Sequence, residues 1–204
     1  DIEGTRQAQA VSNIFGELSI QGFFILSGGL VYGSWQRRES IGNYALKRVR
    51  RLYPAYSSVI FATVIIALIF VPEVRADLGA VARYIGANLV FLNFLQPSLP
   101  GVFEDHRFPE INGALWTVKI EVMYYLALPI LVWLMERFGK AKYILLVIVY
   151  IAAELWRQVI GHIGLEEHSN ALVQISRQLP GQMSFFVSGI MLWEFRNLIR
   201  SKWW

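Results

Sequence analysis

Hydrophobic residues in this chain come in long blocks, and the charges gather in the gaps between them. Six apolar blocks stand out: about Asn13 to Trp35, Leu52 to Val71, Gly79 to Leu95, Gly113 to Met135, Tyr143 to Ile163 and Leu179 to Ile199. The second is the clearest, because Val59 to Val71 is wholly apolar but for Thr63. A helix needs roughly 20 residues to cross about 30 Å of hydrocarbon, and every block but the third reaches that length. Backbone polar groups must be satisfied internally in lipid, so the blocks predict helices. They lack the period-two alternation of a membrane barrel. The expected fold is an all-α, polytopic transmembrane helical bundle. It has about five spanning helices plus one re-entrant or interfacial helix, and is part of a larger bundle. Pro54 is expected in the first turn of the second helix, where a missing N–H costs nothing. Pro129 falls inside the fourth block and predicts a kink there. Pro97, Pro100 and Pro109 predict a loop from Gln96 to Asn112.

The charges orient these blocks. Arg37, Arg38, Lys47, Arg48, Arg50 and Arg51 crowd the first connection. Arg137, Lys140 and Lys142 fill the fourth, and Arg196, Arg200 and Lys202 follow the last block. The remaining connections are acidic or mixed. Basic loops stay on the cytoplasmic side. Three cytoplasmic basic clusters are compatible only if the third block does not cross, so Glu73 to Asn112 is expected to form one non-cytoplasmic region.

Composition sharpens the class. Of 204 residues, 55% are hydrophobic and only 17% charged, against about a quarter in soluble domains. The mean hydropathy is +0.42. The net charge of +4 forms no basic face on a soluble fold, so nucleic acid is not an expected partner. The lipid bilayer is. With no cysteine, thiolate catalysis, disulfides and cysteine metal sites are excluded. His106, His162 and His168 lack metal-ligand spacing, so no metal is expected; each reads first as a solvated loop residue. The chain opens on Asp1 without Met, so it reads as a single, partial membrane domain over residues 1–204.

A few polar residues inside apolar surroundings carry candidate chemistry. Glu121 lies within a spanning block. An ionisable group there costs on the order of 3 kcal/mol and faces a cavity or a partner. It either orients a catalytic group, binds an acceptor hydroxyl or forms a buried ion pair. Asn112, Trp116 and Tyr124 fall on or near its side of the helix. Glu154 sits one turn from Arg157, which reads as a structural pair. Arg48 and Arg51, one turn apart at a membrane boundary, suit phosphate groups or lipid headgroups. Ser27 and Gly28 lie among Gly22, Gly29 and Gly33, which suits close approach of a ligand or of another helix.

Three segments taken together carry a resemblance: Gly22-Phe23-Phe24-Ile25-Leu26-Ser27-Gly28-Gly29-Leu30, Lys47-Arg48-Val49-Arg50-Arg51-Leu52-Tyr53-Pro54-Ala55, and Asn112 to Leu126 with Trp116, Glu121, Tyr124 and Tyr125, followed by Pro129. In order and spacing the chain resembles the acyltransferase 3 family of integral membrane enzymes, over roughly Ser19 to Val132. Gly29 stands where that family has an aromatic residue, Thr117-Val118 where it has Ser-Leu, and Val122 where it has a second acidic residue. The resemblance implies transfer of an acyl group, most often acetyl, from a coenzyme A thioester to a hydroxyl of a cell-surface or exported polysaccharide, at a multi-pass position in a bacterial inner membrane. It implies acyl-CoA (acetyl-CoA) as donor substrate with no permanently bound cofactor, and a carbohydrate acceptor. Arg48 and Arg51, with Ser27 and Gly28, are then expected at the donor. Glu121 is expected in catalysis, and Trp116, Asn112 and Tyr124 at the acceptor. The family's histidine-bearing first helix and its last helices are expected to lie outside this stretch. Two other readings remain: half of a secondary transporter or flippase with Glu121 and Lys119 as coupling residues, and a non-catalytic membrane remnant.

Overall fold

A computed structural model describes residues 2–37, 40–103 and 110–201. Among them the regular structure is helical throughout: α1 (Ile2–Trp35), α2 (Ile41–Phe70), α3 (Pro72–Ala76), α4 (Leu78–Leu89), α5 (Leu115–Phe138), α6 (Lys142–Glu166), α7 (Asn170–Ser176) and α8 (Leu179–Ser201), with one 3-10 turn at Gly139–Ala141. The all-α expectation holds. Three described stretches are long and apolar enough to cross a membrane: Ile14–Trp35, Ile41–Phe70 and Leu115–Glu166. The last is broken by the 3-10 turn, so it holds both α5 and α6. Four of the five expected spans fall in these stretches. The fifth, α8, does not, because Gln182, Ser184, Glu194 and Arg196 interrupt its apolar surface. It packs on α1 and α6, and Gln182 and Ser184 are buried while Arg196 stays exposed.

The third block forms α4, 12 residues long. At 1.5 Å per residue it covers about 18 Å, too short to cross alone. Several helices differ from expectation. The second begins at Ile41 rather than near Leu52, because Ser40 caps it: its Oγ accepts from the Asn43 amide at 3.3 Å. Pro54 therefore lies in the interior of α2, not in its first turn. The helix accommodates it, and the hydroxyls of Ser57 and Ser58 donate to its carbonyl at 3.1 and 2.7 Å. The short α3 and α7 fall in connections that the apolar pattern leaves blank. Pro129 lies within α5, which continues through it as one helix.

The chain folds as two compact units, residues 1–39 with 120–204, and residues 40–119. The second unit is built around α2. Tyr56, Ile60, Val64 and Ala67 line one face of that helix and pack with Val74, Val81, Tyr84 and Leu99. Asn88, buried at the end of α4, ties the unit together. Its Nδ2 donates to the carbonyls of Tyr84 (2.9 Å) and Gln96 (3.0 Å), and its own carbonyl accepts from the Tyr56 hydroxyl at 2.8 Å. Phe91 ends α4 with φ of 63°. That left-handed turn lets the Leu92 amide reach the Ala87 carbonyl and the Phe91 amide the Asn88 carbonyl, the Schellman closure. A non-glycine residue there costs about 1–2 kcal/mol. Stacking of Phe91 on Tyr56, with centroids 4.6 Å apart, offsets it.

In the first unit α8 packs on α1 and α6, and α7 folds back on α6. The α1–α8 contact is glycine-mediated. A Cβ on Gly28 would run into the Phe186 carbonyl, and one on Gly189 into the Ile25 carbonyl. The two backbones touch, which is how membrane helices gain dispersion contact without a hydrophobic drive. Outward faces stay apolar, as at Leu26, Leu30, Ile130, Ile148 and Ile151. Such surfaces suit hydrocarbon rather than water.

Candidate functional site

Glu121 sits at the start of the first unit's share of α5 and is 6% exposed. Its helix places Tyr125 four residues on, and the Tyr125 hydroxyl donates to Glu121 Oε1. A carboxylate held this way can accept hydrogen bonds or a proton. Tyr124, the neighbour in sequence, points elsewhere. Its hydroxyl donates to the Gln182 carbonyl at 2.7 Å, and its ring stacks on Phe186 at 4.3 Å and meets Phe24 edge-on at 5.3 Å. Gly28 lies against that same Phe186, and Ser27 is buried beside it. Phe24, Gly28, Tyr124 and Phe186 thus form one packed joint of α1, α5 and α8.

The second unit holds Arg48, Arg51, Asn112 and Trp116. One turn of α2 separates the arginines, yet they differ. Arg48 is buried, its guanidinium 5.3 Å from the Tyr44 ring centre, whereas Arg51 is exposed. Asn112 begins the approach to α5: its Oδ1 accepts from the Ala114 amide at 3.1 Å. Trp116 follows, half-buried in the first turn. Lys119 places its ammonium 5.2 Å over the Phe94 ring.

The expected Glu154–Arg157 pair is present at 2.5 Å, and Arg157 also lies 4.8 Å over the Phe185 ring. His162 is exposed and 3.6 Å from Glu166. His168, at φ of 52°, closes the C-terminus of α6: the Ser169 amide reaches the Gly164 carbonyl across it. His106 lies outside the described residues. No cluster of acidic and histidine side chains able to hold a metal occurs among the described residues.

A second carboxylate, Glu194 of α8, is half-buried and gathers partners from α1 and α6. Its Oε1 accepts from the Tyr32 hydroxyl (2.6 Å) and from Gln36 Nε2 (3.1 Å). Its Oε2 accepts from Lys142 Nζ and from the Tyr143 hydroxyl (3.2 Å). Trp193 Nε1 donates in turn to Gln36 Oε1 at 3.0 Å. These bonds tie the ends of α1 and α8 to the start of α6. Beside them opens a cavity of about 710 Å³ whose walls include Tyr32, Trp35, Gln36, Val132, Glu136 and Lys142.

Residues 2–204 match the family described as an acyltransferase domain. The chain belongs to the acyltransferase 3 family. Among curated proteins, it is 28% identical over 142 residues to the peptidoglycan O-acetyltransferase OatA of Listeria monocytogenes, covering 66% of this chain and 22% of that protein. It is 21% identical over 207 aligned positions to nodulation protein 10 of Rhizobium leguminosarum bv. viciae, covering 89% of this chain and 54% of the relative. A protein of Haemophilus influenzae with no assigned function is 26% identical over 156 residues, covering 68% and 62%. The chain therefore spans less than two thirds of the length of each of these relatives. No solved structure matches it.

The sequence reading of this acyltransferase 3 chain singled out Glu121 but passed over Glu194. The signal was the same for both: a lone carboxylate in an apolar block. What the sequence hid was the company of Glu194, since Tyr32 and Gln36 lie more than 150 positions away. Lys142, read as one of a basic cluster at the membrane boundary, is a partner of that carboxylate.

Proposed function

We propose that this protein moves an acyl group, acetyl in the simplest case, from an acyl-coenzyme A thioester to a hydroxyl of a cell-surface or exported carbohydrate, within a bacterial inner membrane. The observation that carries this reading is the acyltransferase match over residues 2–204 together with likeness to a protein named for O-acetylation of peptidoglycan. In the reaction the thioester C–S bond breaks and an ester C–O bond forms. The hydroxyl proton passes through a base to the departing thiolate.

The side chains are given these parts. Glu121, buried and steadied by Tyr125, sets the orientation of the reacting groups through a charge-assisted hydrogen bond. Arg48 and Arg51 neutralise donor phosphates; their guanidinium geometry suits such groups. Trp116 offers a ring face to the acceptor sugar. Asn112 and Tyr124 fix the start and the packing of α5 and so hold Glu121 and Trp116 in place. Ser27 and Gly28 keep α1 against α8.

The test uses full-length protein in nanodiscs with acetyl-CoA and soluble peptidoglycan fragments. Free coenzyme A and an acetyl ester on the glycan should appear in equal amounts. Glycan-dependent movement of a solute with no thioester cleavage would replace this reading with transport.

A further inference from the structure

Lys119, near the start of α5, has no part in the roles assigned above. It is half-buried within a stretch apolar enough to span a membrane. Among the described residues its ammonium meets no carboxylate, and the face of the Phe94 ring lies 5.2 Å from it. Nothing about α5 calls for a cation there. The opening turns of a helix carry positive charge from their unpaired amides, and the first turn of α5 holds no acidic residue to offset it. An ionisable side chain held partly out of water in a spanning segment marks a functional position. Two positions apart, Lys119 and Glu121 project from different sides of the helix, so the lysine is not that carboxylate's partner. Trp116, three positions before it, shares its side. Phe94 is exposed, and its loop is pinned: Asn88 Nδ2 donates to the Gln96 carbonyl at 3.0 Å, and the Ile111 amide to the Pro97 carbonyl at 3.2 Å. The second unit thus gathers an ammonium, an indole and an exposed phenyl ring at one end of α5. Arg137 closes the other end within a basic connection, which the positive-inside rule assigns to the cytoplasm. The Lys119 end faces the side on which exported carbohydrate lies.

We infer that Lys119 makes this protein select an acidic carbohydrate: its ammonium pairs with a carboxylate or phosphate on the acceptor while Trp116 lies against the sugar ring. The inference rests on the acyltransferase reading and adds the charge of the acceptor to it. An ammonium is a compact point charge with three donors, so it senses the charge of a group more than its shape. A neutral sugar leaves the ammonium on Phe94 and gains nothing from it. An anionic one adds a charge-assisted hydrogen bond, about twice as strong as a neutral one. Anchoring to lipid headgroups, the competing role for a boundary lysine, would not depend on the acceptor.

The experiment uses full-length protein in nanodiscs of phosphatidylcholine, with labelled acetyl-CoA and two acceptors. One is a muramic-acid disaccharide with its lactyl carboxylate free. The other is the same disaccharide with that carboxyl as its methylamide, so the hydroxyls are identical and only the charge differs. Wild type should favour the acid at least tenfold in kcat/KM, chiefly through KM. Lys119→Gln should abolish the preference and leave the amide unchanged, and Lys119→Arg should keep most of it. On unaltered protein, rising salt should shrink the preference, since screening weakens a partly exposed pair. Equal use of both acceptors by wild type, a preference that Lys119→Gln leaves intact, or a loss equal for both acceptors overturns the inference and leaves the acyltransferase reading standing. So does an effect of Lys119→Gln that appears only when phosphatidylglycerol is added, which would give the lysine to lipid headgroups. Acetyl ester on neither disaccharide, with no thioester cleaved, fails the acyltransferase reading itself.

Discussion

Gly189→Ala tests the packing that holds the first unit together. A methyl at this position would run into the Ile25 carbonyl and lie 2.8 Å from the Gly29 amide nitrogen. Both are backbone atoms inside a helix, so no rotamer change relieves the contact and α1 and α8 must separate. Overpacking of this kind costs about 1–3 kcal/mol. Removing a helical glycine returns about 0.5–1 kcal/mol, so the net loss is about 0–2.5 kcal/mol. Separation also loosens Phe186 and Ile190, which are fully buried at this joint. Gly22→Ala is the control, because a Cβ there meets nothing within 4 Å; it should gain up to about 1 kcal/mol. The assay is unfolding in mixed micelles of increasing SDS fraction, followed by helical ellipticity. Gly189→Ala should unfold at lower SDS than wild type, and Gly22→Ala at equal or higher SDS. Equal stability of the two variants would refute the backbone-to-backbone contact.

Other outcomes follow from the same geometry. A Glu194→Gln/Lys142→Met double-mutant cycle in SDS unfolding should show a coupling of about 1–3 kcal/mol, since a partly buried charge pair loses its partner in each single variant; a coupling near zero would remove the tie between α6 and α8. Asn88→Ala leaves the part-buried Gln96 carbonyl without its donor and should cost about 1–3 kcal/mol by the same assay. Asn88→Asp, which cannot donate when ionised, should cost no less. Arg48→Ala/Arg51→Ala should raise the Kd for coenzyme A at least tenfold in equilibrium binding, and an unchanged Kd would return these residues to helix anchoring.

The sequence showed the helices well where lipid sets the rule. A spanning segment must stay apolar over its whole length, so α5 and α6 appear nearly as printed in hydropathy, while α1 runs on from its apolar block back to Ile2. It showed less where a helix leaves that regime. The first turns of α2 are basic and amphipathic, and only the Ser40 cap reveals that they continue the helix. For this reason Pro54 was misplaced. Among candidate residues, Glu121 was legible because a buried charge is expensive wherever its helix packs. Gly28 and Ser27 were ambiguous, since small residues serve ligands and helices alike; the joint with Phe186 depends on α8, over 150 positions away. The Glu194 network was unreadable for the same reason, because hydrogen bonds among Tyr32, Lys142 and Glu194 exist only once three helices meet.

The central claim is that Glu121 serves a thioester-to-hydroxyl transfer. The most direct test is the rate of acetyl ester formation on a glycan acceptor from labelled acetyl-CoA, for wild type and for Glu121→Gln at matched folding. The account predicts ester formation by wild type and a loss of at least a hundredfold in kcat for Glu121→Gln, with the Kd for coenzyme A unchanged. Full activity in Glu121→Gln would contradict it.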